Sequence, residues 1–173
     1  FGESTAILAG DALLSISLNL LTNSRYNQNI LHTFNKGLLT VCEGQAIDKE
    51  YESKESIDEQ KYLRMIQQKT AHMIAMAIQM GGLAYQCDKE ISKKLFNYGF
   101  LIGMGFQVQD DYLELTSSSE VMNKSLKSDL LLGKKTYPII LCYQEDKEFI
   151  SNLIDQSSLD YEKSIQNLRD FII

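Results

Sequence analysis

The sequence predicts an all-α fold, a bundle of mostly antiparallel helices around a central cavity. The composition is the first reason, because a single proline and ten glycines in 173 residues favour long helices over a turn-rich sheet structure. The second reason is that apolar residues recur at spacings of three and four along most of the chain. With 44% apolar residues, a chain of this length can bury one sizeable core. We therefore expect residues 1–173 to form a single helical domain.

The first half of the chain contains two predicted helices. Residues Ser4 to Leu21 are apolar on nearly all sides, which is typical of a helix buried within a bundle or a dimer. A second helix is predicted from about Gln28 to Glu50. The charged stretch from Tyr51 to Glu59 predicts a solvated connection, in which Ser56 or Asp58 could cap the next helix.

Two more helices are predicted in the middle of the chain. The third runs from Glu59 to about Tyr85, and Gly81-Gly82 closes or bends it. Ser92 is expected to cap the fourth helix, which extends to about Leu115. Glycines within it would allow a neighbouring backbone or a ligand to approach closely; they are Gly99, Gly103 and Gly105.

The last part of the chain begins with a polar segment, Thr116 to Lys127, which predicts a loop. Two further helical segments follow, around Tyr137 to Tyr143 and from Lys147 to Ile173. Pro138 is compatible with this interpretation because proline is tolerated in the first turn of a helix.

Charge, hydropathy and cysteine content exclude several classes of protein. A formal net charge of -6 and the lack of a basic run argue against nucleic-acid binding. No apolar run of about 20 residues is evident, which predicts no transmembrane segment, and no signal-peptide pattern precedes Phe1. Cys42, Cys87 and Cys142 are widely spaced in apolar surroundings, which predicts buried free thiols and a cytoplasmic location.

The segment from Phe106 to Glu114 is the first candidate site. Asp110 and Glu114 are four residues apart and share one helix face, with Gln107 one turn before Asp111. Carboxylates and water are the ligands that Mg²⁺ prefers, so the segment could bind this ion. Because 23 of 173 residues are acidic, the same spacing also arises by chance on a solvated helix face. Because the flanking residues are apolar, the two adjacent aspartates need a metal or a cation. Candidate cations lie elsewhere in the chain: Lys69, Lys124, Lys127, Lys134 and Lys135.

An ordered set of motifs along almost the entire chain resembles the trans-isoprenyl diphosphate synthase (polyprenyl synthetase) family. The matching segments are Phe1-Gly2 with Ile7 to Leu14, Gly44-Gln45-Ala46-Ile47-Asp48, Tyr62 with Lys69-Thr70-Ala71, Gly81-Gly82, Phe106-Gln107 with Asp110-Asp111-Tyr112-Leu113-Glu114, Lys124, Asp129, Gly133-Lys134 and Thr136-Tyr137-Pro138. The resemblance implies the isoprenoid synthase fold. It also implies that isopentenyl diphosphate is joined to an allylic diphosphate.

The family pattern departs from this sequence at three places. Its first aspartate-rich motif and the following arginine pair would lie upstream of Phe1, so residues 1–173 are expected to be the central portion of a larger domain. Glu114 stands where aspartate is usual, and Lys127 stands where glycine is usual. The longer Glu114 side chain retains an oxygen ligand but shifts it outward.

The resemblance also implies roles for individual residues. The residues expected to be catalytic are Lys69, Thr70, Gln107, Asp110 and Asp111. Several Mg²⁺ ions, bound together with the substrate diphosphate, would be held by Asp110, Asp111 and Glu114. The residues expected to bind diphosphate are Lys69, Lys124, Lys134, Gln45 and Asp48. Gln45 and Asp48 could instead pair with Lys49 or Lys69, and Lys69 could reach the surface.

The resemblance further implies a homodimer with farnesyl or geranylgeranyl products. Longer and shorter products stay open, because the residues that set pocket depth lie mainly before the first aspartate-rich motif. A class I terpene cyclase and an inactive regulatory subunit of a prenyl synthase are the two alternatives. The motif set favours chain elongation over cyclisation.

Overall fold

The computed structural model describes residues 2–23, 27–116, 134–157 and 160–172. All regular secondary structure in these ranges is helical, which confirms the predicted all-α fold. The helices are α1 Glu3–Thr22, α2 Asn27–Glu52, α3 Glu59–Ile66, α4 His72–Ala84, α5 Lys89–Thr116, α6 Tyr137–Glu145, α7 Lys147–Ser157 and α8 Tyr161–Ile172. A five-residue π-helical turn, Gln67–Ala71, joins α3 directly to α4. The predicted third helix is therefore one continuous rod with a bulge in its middle.

Two aspartates cap the helices of the central region. The Lys61 N–H donates to Asp58 Oδ1 at 2.7 Å, which confirms Asp58 as the predicted cap of α3. The prediction that Ser92 caps the fourth helix is wrong. The Ile91 N–H donates to Asp88 Oδ1 at 2.8 Å, and Ser92 lies buried one turn inside α5. An aspartate that precedes the helix satisfies the exposed N–H groups, and Ser92 instead accepts a hydrogen bond from the Gln79 amide at 3.1 Å.

The end of α4 is formed by a Schellman motif, two residues beyond the glycine pair that was expected to close it. The Cys87 N–H donates to Gly82 O and the Gln86 N–H donates to Leu83 O, both at 3.0 Å. Gln86 has a φ of 61°, in the left-handed region that a side chain with a Cβ rarely adopts. The motif ends α4 by backbone hydrogen bonding, with a glutamine at the position that usually holds glycine.

Gln86→Gly is expected to raise the free energy of unfolding by about 0.5–1 kcal/mol, because glycine removes the steric cost of the positive φ. The gain is smaller than that steric cost because glycine also increases the entropy of the unfolded chain. Urea denaturation of both proteins measures the difference. Gln86→Ala keeps the Cβ and serves as the control, and an equal gain in both variants would contradict this explanation.

Close helix packing brings α5 onto the π turn and α4. A Cβ on Gly99 would lie 2.7 Å from Ala75 Cα, and one on Gly103 would lie 2.5 Å from Ala71 Cα. The predicted close approach is confirmed at these two glycines, whereas a Cβ on Gly105 would meet nothing within 4 Å. The core beside this contact contains Ile57, Tyr62, Met65, Ile66 and Ile140. A second apolar cluster joins the end of α5 to the last three helices.

Helix α1 is exposed in the single chain, and its predicted burial within a bundle or a dimer stays a prediction. No residue in α1 is buried, and its exposed apolar side chains are Ile7, Leu8, Leu13, Leu14, Ile16 and Leu20. The helix has 20 residues and contains an 18-residue window with a mean hydropathy of 1.5, so it is long and apolar enough to cross a membrane by length and composition alone. The expectation that no apolar run approaches this length is therefore wrong. A helix that packs against other protein surface has the same composition, so the absence of a transmembrane segment stays a prediction.

The three cysteines are free thiols, as predicted, but they are not all buried. Cys142 is buried in the second apolar cluster, where burial raises the pKa of its thiol. Cys87 is half-buried, and Cys42 is exposed on α2. The expectation that all three are buried is wrong for Cys42, because that residue lies on a face of α2 that no other described element covers.

Candidate active site

The π turn carries two of the predicted site residues, Lys69 and Thr70. The His72 N–H donates to Gln67 O, five residues earlier in the chain, so one extra residue is accommodated in this turn. The His72 imidazole also contacts Gln67 O through Nδ1 at 2.8 Å and packs edge-on against Phe96 and Phe100. These contacts indicate a structural role for His72.

Helix α2 approaches the backbone of the π turn closely at Gly44. A Cβ on Gly44 would lie 2.3 Å from Lys69 N and 2.7 Å from Lys69 Cα, which real side chains do not tolerate. One turn later on the same face of α2, Asp48 Oδ2 lies 2.6 Å from Lys69 Nζ. Gln45 is exposed and forms no hydrogen bond with the described residues. Of the two α2 residues predicted to bind diphosphate, Asp48 thus pairs with Lys69, which was one of the two alternative partners considered from the sequence.

Gly44→Ala is expected to lower the free energy of unfolding by about 2 kcal/mol, because α2 must move away from the π-turn backbone. Gly105→Ala on α5 is the matched control, since its Cβ would meet nothing within 4 Å. Alanine has the higher helix propensity, so this control is expected to gain up to about 1 kcal/mol. Denaturant unfolding of both variants measures the contrast. Equal effects would contradict the close approach at Gly44.

Asp111 is the centre of a buried hydrogen-bond network. Its Oδ2 accepts from the Tyr62 hydroxyl at 2.7 Å and from the Tyr137 N–H at 2.9 Å. Its Oδ1 accepts from Gln107 Nε2 at 2.8 Å. The Thr70 hydroxyl in turn donates to Gln107 Oε1 at 2.7 Å. Three predicted catalytic residues, Thr70, Gln107 and Asp111, are thus joined in one chain of hydrogen bonds between the π turn and α5.

Burial dominates the electrostatics of this network. The Asp111 carboxyl is only 7% exposed, and burial raises its pKa, while the hydrogen bonds from Tyr62, Tyr137 and Gln107 oppose that rise. Burial, with the nearby charge of Asp111, raises the pKa of Tyr62 far above its usual range. Tyr62 therefore stays protonated and acts as a hydrogen-bond donor.

Tyr137 fixes the beginning of α6 to α3. Its hydroxyl donates to Glu59 Oε1 at 2.8 Å, which raises the pKa of Tyr137, and its ring lies 5.3 Å from the Tyr62 ring between centroids. The half-buried Lys134 lies three residues before Tyr137. Lys124, the other loop lysine predicted to bind diphosphate, lies outside the described residues. The roles of both lysines stay predictions.

The metal role of the three predicted ligands, Asp110, Asp111 and Glu114, stays a prediction. Asp111 is directed into the buried network, whereas Asp110 and Glu114 are half-buried on the adjacent side of α5. Asp110 forms no hydrogen bond or ion pair with the described residues. Nor does any group of three or more His, Cys, Asp or Glu side chains in the described ranges have an arrangement that could hold a metal ion. The Asp110 carboxylate suits Mg²⁺ as one partial ligand, because this ion retains waters and binds phosphate oxygens.

The link from Tyr62 through Asp111 to Tyr137 was not predicted from the sequence. Tyr62 and Tyr137 were noted only as parts of motifs, and Asp111 only as a metal ligand and catalytic residue. Tyr62 and Asp111 are 49 positions apart in the chain. An aspartate within an apolar helix signals a buried partner, but local spacing does not identify which residue that partner is.

The comparisons with known proteins agree with this arrangement of motifs. The sequence pattern of the polyprenyl synthetase family matches residues 1–171. The chain belongs to this family. It is 32% identical to a geranylgeranyl diphosphate synthase of Methanosarcina mazei over 95% of this chain and 57% of that protein.

Solved structures of the family are similar in fold. A heptaprenyl diphosphate synthase from Staphylococcus aureus matches with a TM-score of 0.86 and 32% identity, over 98% of this chain and 55% of that one. A polyprenyl synthase from Caulobacter crescentus, complexed with calcium and isoprenyl diphosphate, matches with a TM-score of 0.85 and 25% identity, over 99% of this chain and 53% of that one. The chain thus spans a little more than half the length of these relatives.

Proposed function

We propose that the protein is a prenyltransferase that joins isopentenyl diphosphate to an allylic diphosphate. One observation carries the proposal: the hydrogen-bond chain from Thr70 through Gln107 to Asp111 fixes the Lys69 turn beside the acidic segment of α5. A cationic group for a diphosphate and carboxylates for a metal are thereby held on neighbouring helices. The names of the family relatives support chain elongation as the reaction.

Each described residue has a specific part in the proposed reaction. The Lys69 ammonium would bind and neutralise the departing diphosphate, and a compact ammonium with three donors suits this task. Asp110 would hold Mg²⁺ together with Glu114, and the ion would supply further positive charge to the leaving group. Gln107 and Asp111 would hold the π turn in a fixed position against α5. The calcium and isoprenyl diphosphate bound to the Caulobacter relative support a metal and a diphosphate as parts of the proposed reaction.

Incorporation of radiolabelled isopentenyl diphosphate tests the proposal. The full-length protein, supplied with Mg²⁺ and dimethylallyl, geranyl or farnesyl diphosphate, is expected to give longer prenyl diphosphates. A hydrocarbon product without consumption of isopentenyl diphosphate would indicate a terpene cyclase. No turnover of any allylic substrate would favour a regulatory subunit. The lengths of the products would settle the farnesyl or geranylgeranyl class.

Lys69→Ala is expected to raise the KM for the allylic diphosphate and to lower kcat, because the leaving group loses the ammonium proposed to neutralise it. Lys69→Arg is expected to recover only part of the activity, because a planar guanidinium replaces a compact ammonium in contact with Asp48. Steady-state kinetics of both variants check this result. Unchanged KM and kcat in both would place Lys69 outside the site.

Further properties belong to the same proposal. We propose that the chain is the central portion of a larger domain, and that it acts as a cytoplasmic homodimer. The exposed apolar side chains of α1 support the larger domain and the homodimer, because so much exposed apolar surface on one helix is unusual for an isolated domain. The free thiols support a reducing compartment.

A further inference from the structure

We infer that Asp48 does not bind the diphosphate but positions the Lys69 ammonium that does. The inference rests on the proposed function and deepens it, because it assigns Asp48 to the lysine instead of the substrate. The structure places Asp48 Oδ2 2.6 Å from Lys69 Nζ, on a contact between α2 and the π turn. The side chains of Lys69 and Asp48 are only 25% and 16% exposed, so the pair is mostly shielded from water.

The backbone geometry makes this pair specific. Gly44 allows α2 to touch the π turn at Lys69 itself, and Asp48 follows one turn later on the same face of α2. The π turn changes the direction in which Lys69 points, compared with a regular helix. The other lysine considered as a partner for Asp48, Lys49, instead forms an ion pair with Glu52. Asp48 and Lys69 thus meet because two separate backbone features bring them together.

Charge decides which partner of the pair meets the substrate. A diphosphate is strongly anionic, so a carboxylate beside it repels it, whereas the ammonium attracts it. An ammonium has three N–H donors, and one donated to Asp48 leaves two for phosphate oxygens. A free lysine side chain would lose much rotamer entropy when it binds substrate, and the ion pair removes part of that loss in advance. Asp48 therefore orients Lys69 for the reaction while slightly weakening substrate binding.

The test uses Asp48→Asn in the full-length protein, which removes the charge but retains the size. We expect kcat to fall about tenfold, while the KM for the allylic diphosphate stays the same or falls. The Kd of inorganic pyrophosphate with Mg²⁺, measured by calorimetry without turnover, should also stay the same or fall. A raised KM and Kd with unchanged kcat would overturn the inference, because Asp48 would then contribute to binding directly. No change in any of the three values would overturn it as well.

A double-mutant cycle separates positioning from a general effect on stability. In a Lys69→Met background, Asp48→Asn should have no further effect on kcat, because the lysine that Asp48 positions is absent. Additive losses would contradict the inference. Glu50→Gln is the matched control on α2, since Glu50 pairs with Lys54 at the surface, and it should leave kcat and KM unchanged.

Two further measurements keep the result interpretable. Asp48→Glu retains the carboxylate and should restore part of kcat, and all kinetics are compared well below the melting temperature of the least stable variant. If Asp48→Asn does not fold, the same comparison is made with Asp48→Ser, which also removes the carboxylate, and a wild-type kcat in that variant would overturn the inference. If the wild-type protein incorporates no isopentenyl diphosphate, the proposed function fails. The Kd of pyrophosphate with Mg²⁺, measured for Asp48→Asn, Lys69→Met and the double variant, then still tests whether Asp48 acts through Lys69, because any effect of Asp48→Asn on this Kd should vanish when Lys69 is absent.

Discussion

Asp111→Ala is expected to lower the free energy of unfolding by about 3 kcal/mol. The substitution removes the acceptor of three hydrogen bonds, from Tyr62, Tyr137 and Gln107, and it leaves these donors in a space that excludes water. Burial of the Asp111 carboxylate is itself unfavourable. The substitution removes this cost, which offsets part of the loss. Urea denaturation with a common slope for both proteins measures the difference.

Tyr62→Phe is the companion measurement for Asp111→Ala. It removes one donor and retains the ring that packs on Tyr137, so a loss of only about 1 kcal/mol is expected. The two variants combined should lose less than the sum of their separate effects, because both remove the same hydrogen bond. Full additivity would contradict a hydrogen bond shared by the two residues, and an Asp111→Ala protein as stable as the wild type would show that the network does not stabilise the fold.

Asp110→Ala is expected to lower kcat by about 10³-fold while stability stays within about 0.5 kcal/mol of the wild type. The Asp110 carboxylate is half-buried and forms no hydrogen bond or ion pair with the described residues, so its loss leaves no partner unsatisfied. In the proposed reaction it holds Mg²⁺ beside the leaving group. Steady-state incorporation of isopentenyl diphosphate at saturating Mg²⁺ measures the effect.

If Asp110→Ala turns over at nearly the wild-type rate at saturating Mg²⁺, the metal role proposed for Asp110 is wrong. Gln109→Ala is a suitable control, because Gln109 precedes Asp110 and forms no hydrogen bond with the described residues. It should change neither stability nor kcat by a comparable amount.

Local features of the structure were predictable from the sequence alone. The all-α fold and the approximate extents of the long helices follow from apolar spacing, because apolar residues that recur every three or four positions show the helical period directly. The cap at Asp58 and the close packing at Gly99 and Gly103 follow from the same short-range chemistry. The family could also be recognised, because an ordered set of motifs is specific even when each motif is weak.

Features that depend on distant residues were decided by the tertiary structure. No local pattern distinguishes the π turn at residues 67–71 from regular helix, and it determines where Lys69 points. The sequence placed Asp110 and Asp111 together as metal ligands, but a rotation of about 100° per residue sends Asp111 into the buried network and leaves Asp110 outside it. The sequence left open whether Asp48 pairs with Lys69, 21 positions away, and only the approach of α2 at Gly44 decided it. A sequence fixes the face on which each side chain lies, whereas its partner depends on which helices pack together.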